Sequence, residues 1–131
     1  MTIQKLINEA LKVTGEYHPS KTVSSGSVGA ALLTKDGNIY TGVCIDAASS
    51  LGFCAEHAAI ADMLKHHESE ILMLVALNET GKLGTPCGRC RELIAQVNKA
   101  NMETKIIMSK KKTITLGELL PHYWLDEWNL R

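Results

Sequence analysis

The stretch FCAEHAAIADMLKHHESEILMLVAL, residues 53–77, decides the architecture. Its first half predicts a helix over about residues 54–66. It ends in ILMLVAL, residues 71–77, an apolar run without alternation, as expected of a strand buried on both faces. A helix leading into such a strand points to a layered α/β domain with helices packed on a sheet.

The flanking segments extend this pattern. VGAALLT (28–34), KDGN and IYTGVCID (39–46) read as a β-hairpin turning at Asp36-Gly37. Residues 18–27 read as loop. Ile3, Leu6, Ile7, Ala10 and Leu11 recur at helical spacing, with Thr2 placed to cap that helix and Gly15 to end it. Downstream, Thr85 offers an N-cap and Pro86 a first helical turn, and Cys90, Leu93, Ile94 and Val97 share one helix face. Residues 105–109 and 113–115 read as strands around a solvated turn at the lysines 110–112. Thr115 and Glu118 form a capping-box pattern for a short helix.

Composition fits one domain over residues 1–131. The chain is 45% apolar and 21% charged, a globular balance. Fourteen basic and fourteen acidic residues cancel, so no general field draws in nucleic acid or an anionic membrane. No run approaches the ~18 apolar residues of a membrane span. The N-terminus does not read as a signal peptide, because Asn8, Glu9 and Lys12 interrupt any apolar core. A cytoplasmic location is the expectation. Its cysteines are then reduced, which favours metal or catalytic roles over disulfides.

Cys87 and Cys90 stand three apart in GTPCGRCREL (84–93), so on a helix their sulfurs face the same way. Free backbone N–H groups and the positive end of the helix dipole favour thiolate at such a position. Cys54 adds a third sulfur at a second predicted helix start. The first helix leads into the strand at 71–77 and the second follows it, so one crossover brings both starts to the same sheet edge. Three protein ligands leave one position of a zinc tetrahedron for water, whereas structural sites fill all four. Glu56 then has a role, since a carboxylate beside that water can accept its proton and pass it to a leaving group.

Together, CAE at 54–56 and PCGRC at 86–90 resemble the signature of the cytidine deaminase superfamily in its all-cysteine form. VGAALLTKDGNIYTG (28–42) and ELLP (118–121) are also similar to segments of the small cytidine deaminases. The resemblance implies a three-layer α/β/α fold with a mixed, roughly five-stranded sheet. It implies one Zn²⁺ per subunit on Cys54, Cys87 and Cys90, and hydrolytic release of ammonia from a free cytosine nucleoside, with Glu56 moving the protons. It further implies that the Ala55 amide holds the base and the Thr85 carbonyl faces the leaving amine. The partners it implies are a small-molecule nucleoside, no nucleic acid polymer and no membrane, within a homo-oligomer, a tetramer by resemblance.

The chain departs from that family at the sugar side. Where an Asn and a Glu two apart usually grip the ribose, it carries Cys44 and Asp46. Asp46 keeps an acceptor on a shorter arm, and a thiol hydrogen-bonds weakly. Gly26 replaces an aromatic residue, and His57 replaces the Arg that usually follows CAE. Zn²⁺ with three thiolates carries net charge −1, so His57 and Arg91 are candidates to offset it. The blasticidin-S deaminases, similar in size and zinc motif, also vary at the sugar positions. Three blander readings use the same residues. Cys54, His57, Cys87 and Cys90 close a structural zinc site, CGRC serves thiol redox chemistry, or the fold binds ligand without turnover.

Overall fold

The computed structural model describes residues 2–131. The elements run α1 (Ile3–Val13), β1 (Val23–Thr34), β2 (Ile39–Ala47), α2 (Ala55–Lys65), β3 (Ile71–Asn78), β4 (Leu83–Gly84), α3 (Gly88–Val97), β5 (Lys105–Ser109), β6 (Lys112–Thr115), α4 (Leu116–Leu119) and α5 (Trp124–Glu127). The strand order is β2-β1-β3-β5-β6, with β4 also paired to β3. Only β3 and β5 run parallel among these neighbours, so the sheet is mixed, and it has six strands where about five were expected.

Two apolar clusters explain the runs that lacked alternation. Ala31, Leu33, Val75, Leu77 and Ile107 face Leu6, Ile7 and Ala10 of α1. Leu32, Leu74 and Ile106 point the other way, onto Ala59, Ile60 and Met63 of α2 and Ile94 and Ala95 of α3. Successive residues of β1 and β3 thus serve opposite faces, which makes three layers. Leu32, Ile60 and Leu74 are fully buried, and each such side chain stabilises the fold by about 1.5–3 kcal/mol.

Local signals account for most boundaries. The Thr2 hydroxyl accepts from Lys5 N–H at 3.1 Å, and the Thr115 hydroxyl accepts from Glu118 N–H at 3.2 Å, as their capping patterns predict. Buried Asn101 is fully used: its oxygen accepts from Ile71 N–H at 2.8 Å, and its amide donates to the carbonyls of Ser69 and Ile94, each at 3.0 Å. It ties the end of α3 to the start of β3. No helix among the described residues is long and apolar enough to cross a membrane.

Two boundaries differ from expectation. β1 starts at Val23, inside the predicted loop, because Ser24 and Ser25 pair with Asp46 and Ile45 and Tyr17 bridges to Ser25. The register shifts between Ser25 and Gly29, and Gly26 sits there at φ 85°. A Cβ at position 26 would lie 2.0 Å from the Gly15 carbonyl oxygen, so the bulge admits only glycine. Secondly, Cys87, not Thr85, caps α3. Leu83 and Gly84 are held on β3, and the helix does not begin until residue 88.

Candidate active site

α2 and α3 both begin at one edge of the sheet, and each has a cysteine as its N-cap, Cys54 and Cys87. The position of α2 is fixed by close backbone contact. A Cβ on Gly42 of β2 would stand 2.4 Å from Ala59 N and 2.7 Å from Ala55 O, so only glycine lets the helix lie this near. Phe53, just before the helix, exchanges two 3.0 Å backbone hydrogen bonds with Ile45 of β2. Residues 54–56 are therefore anchored on both sides. α3 is held through Arg91, which donates from Nε to Pro86 O at 2.8 Å and from Nη1 to Leu119 O at 3.0 Å.

The sulfurs of Cys54, Cys87 and Cys90 all lie within 4.8 Å of one another, as free thiols. Cys54 and Cys87 Sγ are 3.4 Å apart, and Cys87 and Cys90 Sγ are 3.6 Å apart. Three thiolates at about 2.3 Å from a tetrahedral zinc are separated by about 3.8 Å, so the cluster has the span of a zinc site. Its electrostatics agree. Burial and the Glu56 charge push the Cys90 thiol up, and burial pushes up Cys54. Burial opposes ionisation of Cys87 as well, yet the Cys90 and Arg89 backbone N–H groups and the neighbouring thiols outweigh it and lower its pKa. Burial thus opposes ionisation of all three thiols together, and a divalent ion supplies the charge that lets them ionise.

No histidine or carboxylate joins the three sulfurs in a mutual cluster among the described residues. His57 Nδ1 lies 3.4 Å from Cys90 Sγ but is not within 4.8 Å of all three, so the closed three-cysteine, one-histidine site does not form. Burial, and then the charge of Arg89, hold the His57 imidazole below the usual histidine range. The Arg91 guanidinium is spent on two carbonyls and, at 3.5 Å, on Thr85 Oγ1; it bonds no sulfur.

A cavity of about 850 Å³ opens beside the sulfurs. Cys44, Asp46, Cys54, Ala55, Glu56, Thr85 and Cys87 all line it, whereas His57 and Arg91 stand behind its wall. Glu56 is only 4% exposed, and burial raises its pKa against the partial pull of its own backbone N–H and of Cys90. Cys44 is buried and Asp46 exposed. The sequence reading missed Ser27, Phe53 and Asn78, which also line the cavity. Phe53 was legible only as the residue before CAE; its ring stacks on His57 with centroids 6.4 Å apart.

Fold and site together define a three-layer α/β protein with a three-cysteine metal site opening on a ligand-sized cavity. A family model described as the cytidine and deoxycytidylate deaminase zinc-binding region matches residues 1–106. The chain is 35% identical over 127 residues to a cytidine deaminase of Halalkalibacterium halodurans, with 92% of each chain covered. It is 29% identical over 119 residues to a blasticidin-S deaminase of Bacillus cereus, covering 84% of this chain and 82% of that one. The crystal structure of cytidine deaminase from Mycobacterium leprae matches with a TM-score of 0.77 at 29% identity, over 93% of this chain and 99% of that one. The chain belongs to the cytidine deaminase family.

Proposed function

We propose that the chain catalyses the hydrolytic deamination of cytidine or deoxycytidine to uridine or deoxyuridine and ammonia, as one catalytic domain with one zinc ion per subunit. The observation that carries this reading is the meeting of three sulfurs, two of them lining one cavity, with the buried carboxylate of Glu56 on the same cavity wall. Zinc bound by Cys54, Cys87 and Cys90 makes a water nucleophilic near neutral pH.

The remaining work falls to side chains and backbone of the chain itself. Glu56 takes a proton from the attacking water as its oxygen bonds to the ring carbon bearing the amine. It returns that proton to the adjacent ring nitrogen. Glu56 then takes the remaining proton from the added hydroxyl and passes it to the amine, so that a carbonyl forms as the carbon–nitrogen bond breaks and ammonia departs. A raised carboxyl pKa suits a group that must both accept and donate protons. The Ala55 N–H, at the free start of α2, donates to the pyrimidine edge, and the Thr85 carbonyl accepts from the leaving amine. Arg91 holds the loop that presents Thr85, through Pro86. His57 positions Cys90, and Cys44 and Asp46 face the sugar.

A second reading, a deaminase of a sugar-modified cytosine nucleoside such as blasticidin S, is favoured by Cys44 and by the similarity to the Bacillus cereus protein. In either case the molecule serves a small nucleoside, in the cytoplasm and in pyrimidine salvage, and not a nucleic acid polymer or a membrane. A homotetramer is part of the proposal: Trp124 and Trp128 are 45% and 71% exposed, a large apolar surface for a free subunit. Ammonia release from cytidine, deoxycytidine, free cytosine and blasticidin S, measured on the zinc-loaded protein, tests the substrate. Zinc retention without turnover of any of them contradicts it.

A further inference from the structure

Away from the sulfurs, three polar groups of the cavity wall, Cys44 Sγ, Ser27 Oγ and the Asn78 side-chain oxygen, are already partnered within the chain. Val28, Cys44, Ala55 and Ala76 line this part and pack on one another. Cys44 Sγ accepts from the Val28 N–H at 3.3 Å and shares a hydrogen bond with Ser27 Oγ at 3.2 Å. Thiol and hydroxyl thereby satisfy each other. Asn78 borders the same cavity, yet its side-chain oxygen accepts from Thr80 N, Thr80 Oγ1 and Lys82 N at 3.0, 2.7 and 3.0 Å. That oxygen closes its own turn. Asp46, two residues along β2 from Cys44, is exposed, so a bond it makes to ligand replaces one to water.

We propose that this end of the cavity holds a sugar by shape and does not read its hydroxyl groups. The substrate class then includes cytosine nucleosides whose sugar lacks or masks the 2′ and 3′ hydroxyls, with Cys44 and Ser27 as the specificity-determining residues. The inference rests on the deaminase reading above. A site built to bond a hydroxyl strongly rejects the analogue that lacks it, because its buried partners are left unpaired. Here a missing hydroxyl strands nothing: Cys44, Ser27, Val28 and the Asn78 oxygen keep their partners. A carboxamide at position 44 reverses this, since it brings a donor and an acceptor that need a ligand hydroxyl.

The test is kcat/KM of the zinc-loaded protein for cytidine, 2′-deoxycytidine and 2′,3′-dideoxycytidine. The parent protein is expected to show values within about tenfold of one another, the span of one solvent-exchanged hydrogen bond. A lead of cytidine over the dideoxy compound greater than that overturns the proposal and leaves the deaminase reading standing. Absence of turnover on all three, with zinc bound, overturns both. Cys44→Asn is expected to widen the cytidine lead at least tenfold, with zinc content and circular dichroism confirming a folded variant. An unchanged ratio in folded Cys44→Asn removes Cys44 from the role, and the parent ratios decide the matter should that variant not fold.

Discussion

At the sulfurs, Cys54 and Cys87 begin two helices, Cys90 lies one turn further on, and Glu56 is buried nearby. Backbone contacts at Gly42 and the Phe53–Ile45 bridge leave this end no freedom. Elsewhere on the cavity wall, Cys44 and Asp46 stand on β2, the edge strand of the sheet. The sulfur end demands a fixed constellation because an ion and a proton carrier tolerate little displacement. The wall at Cys44, in the reading proposed above, asks only for a fit.

Substitutions should respect that division. The largest effect is expected at a sulfur. Cys90→Ala removes one of three ligands at a fully buried position, and both zinc content by atomic absorption and nucleoside turnover should be lost. Retained zinc and turnover would mean that the trio does not share an ion. Next comes the neighbour of a ligand. His57→Ala deletes the ring 3.4 Å from Cys90 Sγ, and zinc affinity measured against a competing chelator should fall about 10- to 100-fold. Gly42→Ala pushes α2 off β2; chemical denaturation should show a loss of about 1–3 kcal/mol, with a fall in turnover larger than unfolding explains.

The smallest effect lies far from the cavity, in the tail. Arg131 donates to both Asp126 oxygens at 2.8 and 3.1 Å and stacks over Tyr123, which itself bonds Glu92 of α3. The Arg131 bonds hold the Asp126 carboxyl below its ordinary value. A depressed native pKa gives stability that is present above the unfolded aspartate pKa and lost as pH falls through the native one. Asp126→Asn should therefore lower Tm slightly near neutral pH, and the gap from the parent should close in acid, below the ordinary aspartate range. A gap that widens in acid would show the pair does not act in this way.

The sulfur end was also the more legible in the sequence. Three cysteines and a glutamate at helix starts announce themselves because metal chemistry restricts which residue types can stand there. The hairpin, the helix over 55–65 and the strand over 71–78 followed from period and turn residues. Position 26 was less open, since a serine- and glycine-rich segment reads as loop until its pairing with Asp46 and Ile45 is known. The Thr85 cap failed for a similar reason: Leu83 and Gly84 are held by β3, a tertiary contact that local spacing does not carry. Tyr123 is buried while Trp124 and Trp128 remain exposed, a difference that their closeness in the sequence does not signal. The pairing of Cys44 with Ser27 crosses a strand bulge, and nothing in the linear order signals it.

In the proposed mechanism, Glu56 serves an ion held by three sulfurs. Glu56→Gln keeps the shape of the side chain and removes its capacity to take up a proton. The decisive measurement is zinc stoichiometry and cytidine turnover on that variant, read together. One zinc per chain with turnover reduced by about 10²- to 10⁴-fold is the predicted result. Turnover within a few-fold of the parent, with zinc in place, would contradict it.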